Sequence, residues 1–201
     1  MNESKAIAFF DFDGTITNRD IFWDYLFYRL RTGLSPLKLF YSFPFFALYL
    51  IKVLNNEKAK QLIFSQLFKG EPVGFFKSTV QKYYETDFKN RLKKDALTQI
   101  LWHKNSMHQV YIVSANFDLI VQQFAKEQSI GLISTQLNVE NNIITGKFAS
   151  PNCYGIEKVN RIKKAVPNLN SFIKVYAYGD SKGDREMLAL ATDPYFCYFK
   201  K

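Results

Sequence analysis

Residues 6–15 read AIAFFDFDGT, and this stretch decides the fold. Its first half, residues 6–10, is an unbroken apolar run that ends at once in acidic residues and glycine. Short runs of this kind are typical of strands buried on both faces of a parallel sheet. Similar runs occur at residues 110–113 (VYIV), 132–133 and 175–178 (VYAY), and helical patterns separate them. Strands that alternate with helices predict an α/β fold with a parallel, doubly wound sheet.

The chain between the first two predicted strands carries no buried-strand signal. Apolar and aromatic residues recur there at helical spacing, as in residues 62–68 (LIFSQLF). This pattern predicts a helical cap, residues 17–104, which is inserted into a core formed by residues 1–16 and 105–201.

A change of pattern marks residues 136–148. Two short apolar segments there flank Asn141 and Asn142, which tolerate positive φ at the centre of a two-residue turn. The sequence therefore predicts a small β-hairpin in addition to the parallel sheet.

Composition and charge restrict the classes of function. The 201 residues are 47% hydrophobic and 17% aromatic, which excludes a disordered chain. The net charge of +9 favours an anionic partner, and nucleic acid, a lipid surface and a phosphorylated substrate all qualify. A solvated basic surface explains the charge equally well. Because no motif interleaves arginine with aromatic residues, we expect no nucleic-acid partner.

A few single residues bear on location and on alternative sites. The polar residues 1–6 predict no signal peptide, and the two cysteines, Cys153 and Cys197, have no metal-ligand spacing. Reduced thiols fit a cytoplasmic protein. We expect His103 and His108 at the surface, away from any site.

One uncharged segment lies within the predicted cap. Residues 39–51 (LFYSFPFFALYLI) lie between Lys38 and Lys52 and include Pro44. A bilayer span needs about 20 apolar residues, so we expect no transmembrane helix here. Two interpretations stay open: a buried helix of the cap, or a helix in the membrane interface whose flanking lysines reach the headgroups. The second interpretation implies peripheral contact with the inner membrane.

Two carboxylates follow the first predicted strand. Asp11 and Asp13 are separated by one residue, so both lie at the carboxyl end of the strand, where parallel sheets bind ligands. One can hold a cation while the other transfers protons, and a carboxylate can also attack phosphorus to give an aspartyl phosphate. Gly14 would let backbone N–H groups approach a phosphate closely. A solvated turn explains these residues equally well if they are taken alone.

Polar residues also follow the other long apolar runs. A hydroxyl at a helix start can donate to a phosphate oxygen, although Ser114 fits an ordinary helix cap as well. In residues 179–184 (GDSKGD), Asp180 ends a strand and Asp184 opens a helix, so both can face one cleft and bind magnesium. Asp184 can otherwise complement the helix dipole. Lys158 is a candidate to neutralise the charge of a transferring phosphoryl group.

These motifs, in this order, resemble the four motifs of the haloacid-dehalogenase phosphatase superfamily. They are DFDGT at 11–15, Ser114, Lys158 and GDSKGD at 179–184. The inserted cap resembles that of the phosphoserine-phosphatase-like branch, and the resemblance covers nearly the whole chain. It implies a Rossmann-like core flanked by helices and a magnesium-dependent phosphomonoester hydrolase.

The resemblance also implies a role for each motif residue. Asp11 is the nucleophile, and Asp13 is the acid/base that protonates the leaving group and activates water. Mg²⁺ is held by the Asp11 carboxylate, the Asp13 backbone carbonyl and the Asp180 carboxylate, while Asp184 orients this shell. The phosphoryl group is bound by a further set of residues: Gly14, Thr15, Ser114, Ala115 and Lys158.

The cap bears on the choice of substrate. In phosphoserine phosphatases a Glu nine residues after the nucleophile recognises the amino group, and Asp20 stands at that position. Lys58 and Lys60 lie near the place of the base that grips the substrate carboxylate, without a clear alignment. Residues 39–51 instead resemble the cap of phosphatidylglycerophosphatases of the C type, which act on a lipid phosphate. The sequence favours a small, soluble, phosphoserine-like metabolite, with a phospholipid head group or a catalytically silent binding module as alternatives.

Overall fold

Five parallel strands form the central sheet of the computed structural model, which describes residues 5–54 and 56–200. The strands are β1 Ala6–Phe10, β2 Gln109–Phe117, β3 Gly131–Thr135, β6 Lys174–Gly179 and β7 Asp193–Phe196. Their order in the sheet is β3-β2-β1-β6-β7. The predicted α/β fold is confirmed. Only β7 was not predicted, because four residues that include Pro194 and alternate between half-buried and exposed give no buried-strand signal.

Helices cover the sheet and fill the long connection between β1 and β2. Within the described residues they are α1 Ile21–Arg31, α2 Pro36–Leu50, α3 Asn56–Phe68, α4 Val73–Thr86, α5 Lys94–Asn105, α6 Asp118–Gln128, α7 Ile156–Ala165 and α8 Arg185–Leu190. The first five follow β1, where the sequence predicts helices rather than strands. The division into a core and a cap at residues 16–17 and 104–105 stays a prediction.

Strand β1 is buried along its whole length, and its side chains alternate between two apolar layers. Ala6, Ala8 and Phe10 belong to the layer that includes residues of α5 and α6. Ile7 and Phe9 belong to the opposite layer, with residues of α7 and α8. Each large side chain buried in this way contributes about 1.5–3 kcal/mol. The carboxyl end of β1, where the acidic motif begins, is therefore held firmly on both faces.

The predicted hairpin is confirmed as β4 Leu137–Glu140 and β5 Ile143–Phe148. At its turn Asn141 and Asn142 adopt φ values of 49° and 62°, as a two-residue turn requires. The backbone of β5 also pairs with the loop between α3 and α4. Gly70 N–H donates to the Ile144 carbonyl and Ile144 N–H donates to the Glu71 carbonyl, both at 2.9 Å. The hairpin thus ties the inserted helices to the rest of the chain.

Helix α2 holds the uncharged segment, and the interpretation of that segment as a buried helix is wrong for one of its faces. Phe40 is 73% exposed, and Phe43 and Leu50 are each 69% exposed. The opposite face packs against the core through Leu39, Phe45 and Phe46. No helix among the described residues is both long enough and apolar enough to cross a membrane.

His103 is buried, which corrects the expectation that it lies at the surface. Its Nδ1 lies 2.8 Å from His108 Nδ1, and its Nε2 lies 3.0 Å from Tyr178 Oη. Burial, with a smaller contribution from His108, lowers the pKa of His103 to about 3, so the imidazole is neutral. His103 thus links α5 to β6 through Tyr178. A helical pattern in the sequence does not predict this contact.

Candidate active site

Asp11 lies directly after β1 and is almost fully buried. Its N–H donates to the Tyr178 carbonyl of β6 at 2.9 Å, which fixes the backbone. Its Oδ1 accepts from Lys158 Nζ at 2.5 Å, whereas Oδ2 accepts no hydrogen bond from the described residues. Burial raises the pKa of Asp11 to about 7, opposed by Lys158 and reinforced by Asp184. Lys158 thus holds one carboxylate oxygen, while the other has no hydrogen-bond donor within residues 5–54 and 56–200.

Lys158 of α7 is buried at the centre of the acidic motifs. Its Nζ donates to Asp11 Oδ1 at 2.5 Å, to Asp184 Oδ1 at 2.6 Å and to the Val113 carbonyl at 2.8 Å. Burial favours the neutral amine, but the two carboxylates outweigh it and raise the pKa of Lys158 above its ordinary value. The side chain therefore stays charged and uses all three of its protons.

Asp184 organises the loop that follows β6. Its Oδ2 accepts from Asp180 N–H at 3.2 Å, from Ser181 N–H at 2.9 Å and from the Ser181 hydroxyl at 2.7 Å. Burial disfavours its charge, but Lys158 and these donors outweigh burial and lower the pKa of Asp184. One oxygen each from Asp11, Asp180 and Asp184 lies within 4.8 Å of the others. Because Mg²⁺ prefers carboxylate oxygens, this cluster can hold a divalent cation.

Asp13 is held by two donors from other elements. Its Oδ1 accepts from Ile21 N–H at 2.8 Å, and Asn116 Nδ2 donates to its Oδ2 at 3.0 Å. Burial raises the pKa of Asp13 well above its usual range, and the nearby Asp20 and Asp11 carboxylates raise it further. Burial and these like charges favour the protonated form of the carboxyl group, the form that can donate a proton.

Gly14 and Thr15 form the turn after Asp13. Gly14 adopts φ 84°, and a Cβ at this position would overlap the Asp180 carboxylate, so both conformation and space require glycine. The Thr15 hydroxyl donates to Asp180 Oδ1 at 3.3 Å. Lys93 Nζ donates to the Gly14 carbonyl at 2.5 Å. The turn is therefore fixed from the loop after β6 and from the start of α5.

Ser114 and Ala115 lie towards the end of β2. Ser114 is buried, and its Oγ accepts from Asn116 N–H at 2.9 Å, which leaves its proton for another acceptor. The Ala115 carbonyl accepts from Lys60 Nζ of α3, which also lies 4.7 Å from the centroid of the Phe117 ring. The Lys60 side chain of an inserted helix thus reaches the carboxyl end of β2.

These groups surround a cleft of about 600 Å³. Of the site residues predicted from the sequence, the lining includes Asp11, Asp13, Gly14, Ala115, Lys158, Asp180 and Asp184, but neither Thr15 nor Ser114. The chain after β1 supplies an apolar wall from Trp23 of α1, Phe46 of α2 and Ile63 of α3, together with the basic residues Arg19 and Lys60. The Trp23 and Phe46 rings lie 5.3 Å apart at 63°. A bound molecule would therefore meet the acidic motifs on one side and, on the other, an apolar wall that also carries basic side chains.

Asp20 also lines the cleft, and it has a structural role that the sequence analysis did not include. Its Oδ1 accepts from Phe22 N–H at 2.9 Å and from Trp23 N–H at 3.4 Å, so it is the N-cap of α1. Caps of this kind contribute about 1 kcal/mol. That Asp20 recognises a substrate amino group stays a prediction.

Comparison with known proteins decides the family. The family model for haloacid dehalogenase-like hydrolases matches residues 8–189, a span that contains all four motifs. The chain belongs to the haloacid dehalogenase-like hydrolase family. Protein CicA from Caulobacter vibrioides (strain NA1000 / CB15N) is 30% identical over 205 residues, which cover 100% of this chain and 89% of that protein.

Solved structures show that the fold of this haloacid dehalogenase-like hydrolase is shared. A protein of unknown function from Bordetella pertussis Tohama I superposes with a TM-score of 0.82 at 19% identity, over 94% of this chain and 88% of that one. A phosphoserine phosphatase, solved as an analogue of its phospho-aspartyl intermediate, gives a TM-score of 0.61 at 20% identity, over 94% and 84% of the chains. At these identities the likeness is one of fold.

In this haloacid dehalogenase-like hydrolase, Asn116 contacts Asp13 and Lys93 contacts Gly14, although the sequence analysis assigned neither a role. Lys60, which the sequence analysis considered only for the substrate carboxylate, contacts Ala115. Asn116 follows Ser114 by two residues, so its closeness to a motif was the one available signal. Lys60 reaches the cleft from α3, and Lys93 reaches the back of the acidic turn from the residue before α5. No spacing along the chain predicts either contact.

Proposed function

We propose that this chain is a magnesium-dependent phosphomonoester hydrolase that works through an aspartyl phosphate on Asp11. The observation that supports this most is the pairing at the end of β1. Asp11 has one oxygen held by Lys158 and one that accepts no hydrogen bond from the described residues, and burial raises the pKa of the neighbouring Asp13. An oriented carboxylate beside an acid is the arrangement that nucleophilic attack and leaving-group protonation need.

In the proposed reaction, Asp11 Oδ2 bonds to phosphorus while the bond from phosphorus to the alcohol oxygen breaks. The Asp13 proton passes to that oxygen. Asp13, now a carboxylate, then takes a proton from water, whose oxygen attacks phosphorus and releases the Asp11 carboxylate. Lys158 and the backbone N–H groups of Gly14 and Ala115 would stabilise the charge on the phosphoryl oxygens. Asn116 and Ile21 N–H hold Asp13 in place for both proton transfers.

The charge balance of the cleft supports a divalent cation. Asp11, Asp180 and Asp184 place three carboxylates together, and among the described residues Lys158 is the one cation that forms ion pairs with them. Uncompensated charge in a buried site is costly, and a divalent ion would offset it. The Asp11 and Asp180 carboxylates and the Asp13 backbone carbonyl would hold Mg²⁺, while Asp184 orients the Asp180 loop. Magnesium, when bound, stabilises negative charge on phosphoryl oxygens.

Removal of the metal tests this proposal. We expect the purified protein to hydrolyse p-nitrophenyl phosphate, to lose about 100-fold or more of its rate after dialysis against EDTA, and to regain it with Mg²⁺. Asp180→Asn should raise the Mg²⁺ concentration for half-maximal rate by about 10-fold or more. Asp193→Asn, in β7 and outside the cleft, is the matched control. Full activity in EDTA would contradict the metal requirement, and absence of hydrolysis with Mg²⁺ would contradict the proposal as a whole.

A specific observation favours a lipid phosphate over a small soluble metabolite such as phosphoserine. Large apolar side chains between residues 37 and 53 are 55–73% exposed: Leu37, Phe40, Tyr41, Phe43, Leu50, Ile51 and Val53. Lys38 and Lys52 lie near the two ends of this stretch, and residues 32–56 include no carboxylate. An apolar helix face flanked by cations is typical of helices that lie in the interface of an anionic membrane.

The same helix reaches the cleft. Phe46 of α2 lines it beside Trp23, so α2 presents apolar side chains both to the cleft and to the outside. A lipid phosphomonoester would place its phosphate among the motif residues while its apolar part lies along this wall. A small polar metabolite gains nothing from either apolar surface.

The lipid alternative predicts that membrane binding and lipid hydrolysis fail together. Phe40→Glu and Phe43→Glu should each reduce flotation with vesicles that contain phosphatidylglycerol by about 10-fold, since burying a charge at this face is costly. Hydrolysis of phosphatidylglycerophosphate in vesicles should fall in parallel, while p-nitrophenyl phosphate hydrolysis stays unchanged. Ile173→Glu is the control, because Ile173 is 69% exposed, as Phe43 is. The lipid alternative would be contradicted if Phe40→Glu and Phe43→Glu left flotation unchanged while keeping a native circular dichroism spectrum. A wild-type kcat/KM that favours L-phosphoserine over the lipid would also contradict it.

A further inference from the structure

A second cavity lies on the other side of the acidic turn. It has a volume of about 270 Å³ and is bounded by the turn after β1, the residue before α5 and the C-terminal segment 195–200. It shares Gly14 and Asp180 with the cleft described above. A molecule in this cavity would therefore touch the back of the candidate active site without entering the cleft.

Aromatic rings form the walls of this cavity. Tyr178 stacks on Tyr195 with ring centroids 4.8 Å apart at 9°, and on Phe199 at 5.3 Å and 24°. Tyr198, which is 55% exposed, lies beside Tyr195 at 4.9 Å. Neither the Tyr195 nor the Tyr198 hydroxyl takes part in a hydrogen bond between described residues. Such walls favour a planar ring, which would continue the stack, and leave two hydroxyl groups for its polar substituents.

Two lysines give the cavity a positive side. Lys93 Nζ donates to the Gly14 carbonyl and has two further protons. Lys200 forms no ion pair with any residue that the structure describes. Asp180 is the one carboxylate among the lining residues, and its Oδ1 already accepts from the Thr15 hydroxyl at 3.3 Å. The balance of charge therefore favours an anionic ligand.

The size of the cavity restricts the ligand further. Pockets for drug-sized molecules have volumes of about 300–1,000 Å³, so this cavity suits a ligand of one or two rings and is too small for a long acyl chain or a peptide. We propose that the cavity binds a small planar aromatic anion, such as an aromatic carboxylate, and that its occupancy alters hydrolysis in the adjacent cleft. Lys93 links the cavity to the cleft, because its ammonium group donates to the Gly14 carbonyl. An anion in the cavity would compete with this carbonyl for the same ammonium group. The effect on hydrolysis rests on the proposed function, whereas the binding of the anion does not.

Binding is tested without substrate. With 2-naphthoate as the probe, isothermal titration should show one site, and Tyr198→Leu and Lys200→Gln should each weaken it by about 5-fold. Cyclohexanecarboxylate, which lacks the ring, and 2-naphthylmethanol, which lacks the charge, should bind at least about 5-fold more weakly. Tyr41→Leu is the matched control, because Tyr41 is also 55% exposed but lies on α2. Absence of binding, or equal binding by the wild type and both cavity variants, would overturn the site.

The coupling to the cleft has its own two measurements. We expect 2-naphthoate to lower kcat for p-nitrophenyl phosphate without competing with it, and to shift the amide resonance of Gly14. Competitive inhibition would place the probe in the cleft and overturn the second site. An unchanged kcat, or an unchanged Gly14 resonance at saturating probe, would overturn the coupling. Because the titration and the resonance need no turnover, they remain decisive even if the chain hydrolyses no phosphomonoester.

Discussion

Asp11→Asn is expected to lower the rate of phosphomonoester hydrolysis by about 10⁴-fold or more, as loss of a covalent nucleophile does in other hydrolases. The amide of asparagine cannot attack phosphorus to form the acyl phosphate, while its shape matches that of aspartate. Its carbonyl oxygen can still accept the hydrogen bond that Lys158 Nζ now donates to Asp11 Oδ1. The loss of rate should therefore come from chemistry and not from unfolding.

The same substitution should leave the protein at least as stable as the wild type. Burial raises the pKa of Asp11 to about 7, above the ordinary value of about 3.9 for this side chain. The folded state then binds the proton more tightly than the unfolded state, so the stability that this group contributes falls as the pH rises from about 4 to about 7. Because asparagine carries no charge, the variant does not lose this stability as the pH rises. In EDTA at pH 8 we therefore expect its Tm to equal or exceed that of the wild type.

Two measurements separate these effects. The rate with p-nitrophenyl phosphate and saturating Mg²⁺ reports the chemistry, and a thermal scan in EDTA at pH 6 and pH 8 reports the fold. Asp193→Asn makes the same chemical change outside the cleft and should change neither the hydrolysis rate nor the Tm by much. A rate for Asp11→Asn within about 10-fold of the wild type would contradict the nucleophile assignment, since no loss of that size fits a missing nucleophile.

The features that could be predicted from the sequence are those in which a few consecutive residues are compatible with one local structure only. The apolar run of β1 needs burial on both faces, and the structure provides two apolar layers for it. Asn141 and Asn142 adopt the positive φ that their turn requires. Acidic residues that follow β1 and β6 meet because those strands are parallel neighbours in the sheet. In each case the chemistry of a few consecutive residues is sufficient.

The features that could not be predicted depend on partners from distant parts of the chain. The apolar run of α2 has the same composition whether it is buried or exposed, and only the packing of Phe45 and Phe46 to one side leaves Phe40 and Phe43 outside. Similarly, a lysine at position 93 resembles any surface lysine until the fold brings its ammonium to Gly14. The wall of the cleft and its second cavity are therefore tertiary features, whereas the acidic motifs are visible in the sequence.

Lys158→Met is expected to lower both activity and stability. Its ammonium is buried and holds two carboxylates and one carbonyl, so its removal leaves Asp11 and Asp184 without a cation. Breaking a buried pair by removing one partner costs about 3–5 kcal/mol in the free energy of unfolding. Loss of a donor that stabilises developing charge should also lower kcat by about 100-fold or more.

The size of the stability loss should depend on the metal. In EDTA the full loss is expected in urea unfolding, whereas saturating Mg²⁺ supplies another cation for the same carboxylates and should reduce it. Lys163→Met, on the exposed side of α7, is the matched control and should change the free energy of unfolding by less than about 0.5 kcal/mol. An equal loss with and without Mg²⁺ would contradict the shared-charge account of the site.

A double variant distinguishes unpaired charge from poor packing as the cause of this loss. If Lys158→Met destabilises because it leaves carboxylates unpaired, adding Asp11→Asn removes one of them, and the double variant should be more stable than Lys158→Met alone. If methionine merely packs badly, the changes in the free energy of unfolding that the two substitutions cause should add. Residues in one network couple by about 0.5–3 kcal/mol, which urea unfolding resolves. Strict additivity would therefore mean that Lys158 does not hold the nucleophile through its charge, and the proposed mechanism would lose the cation that orients Asp11.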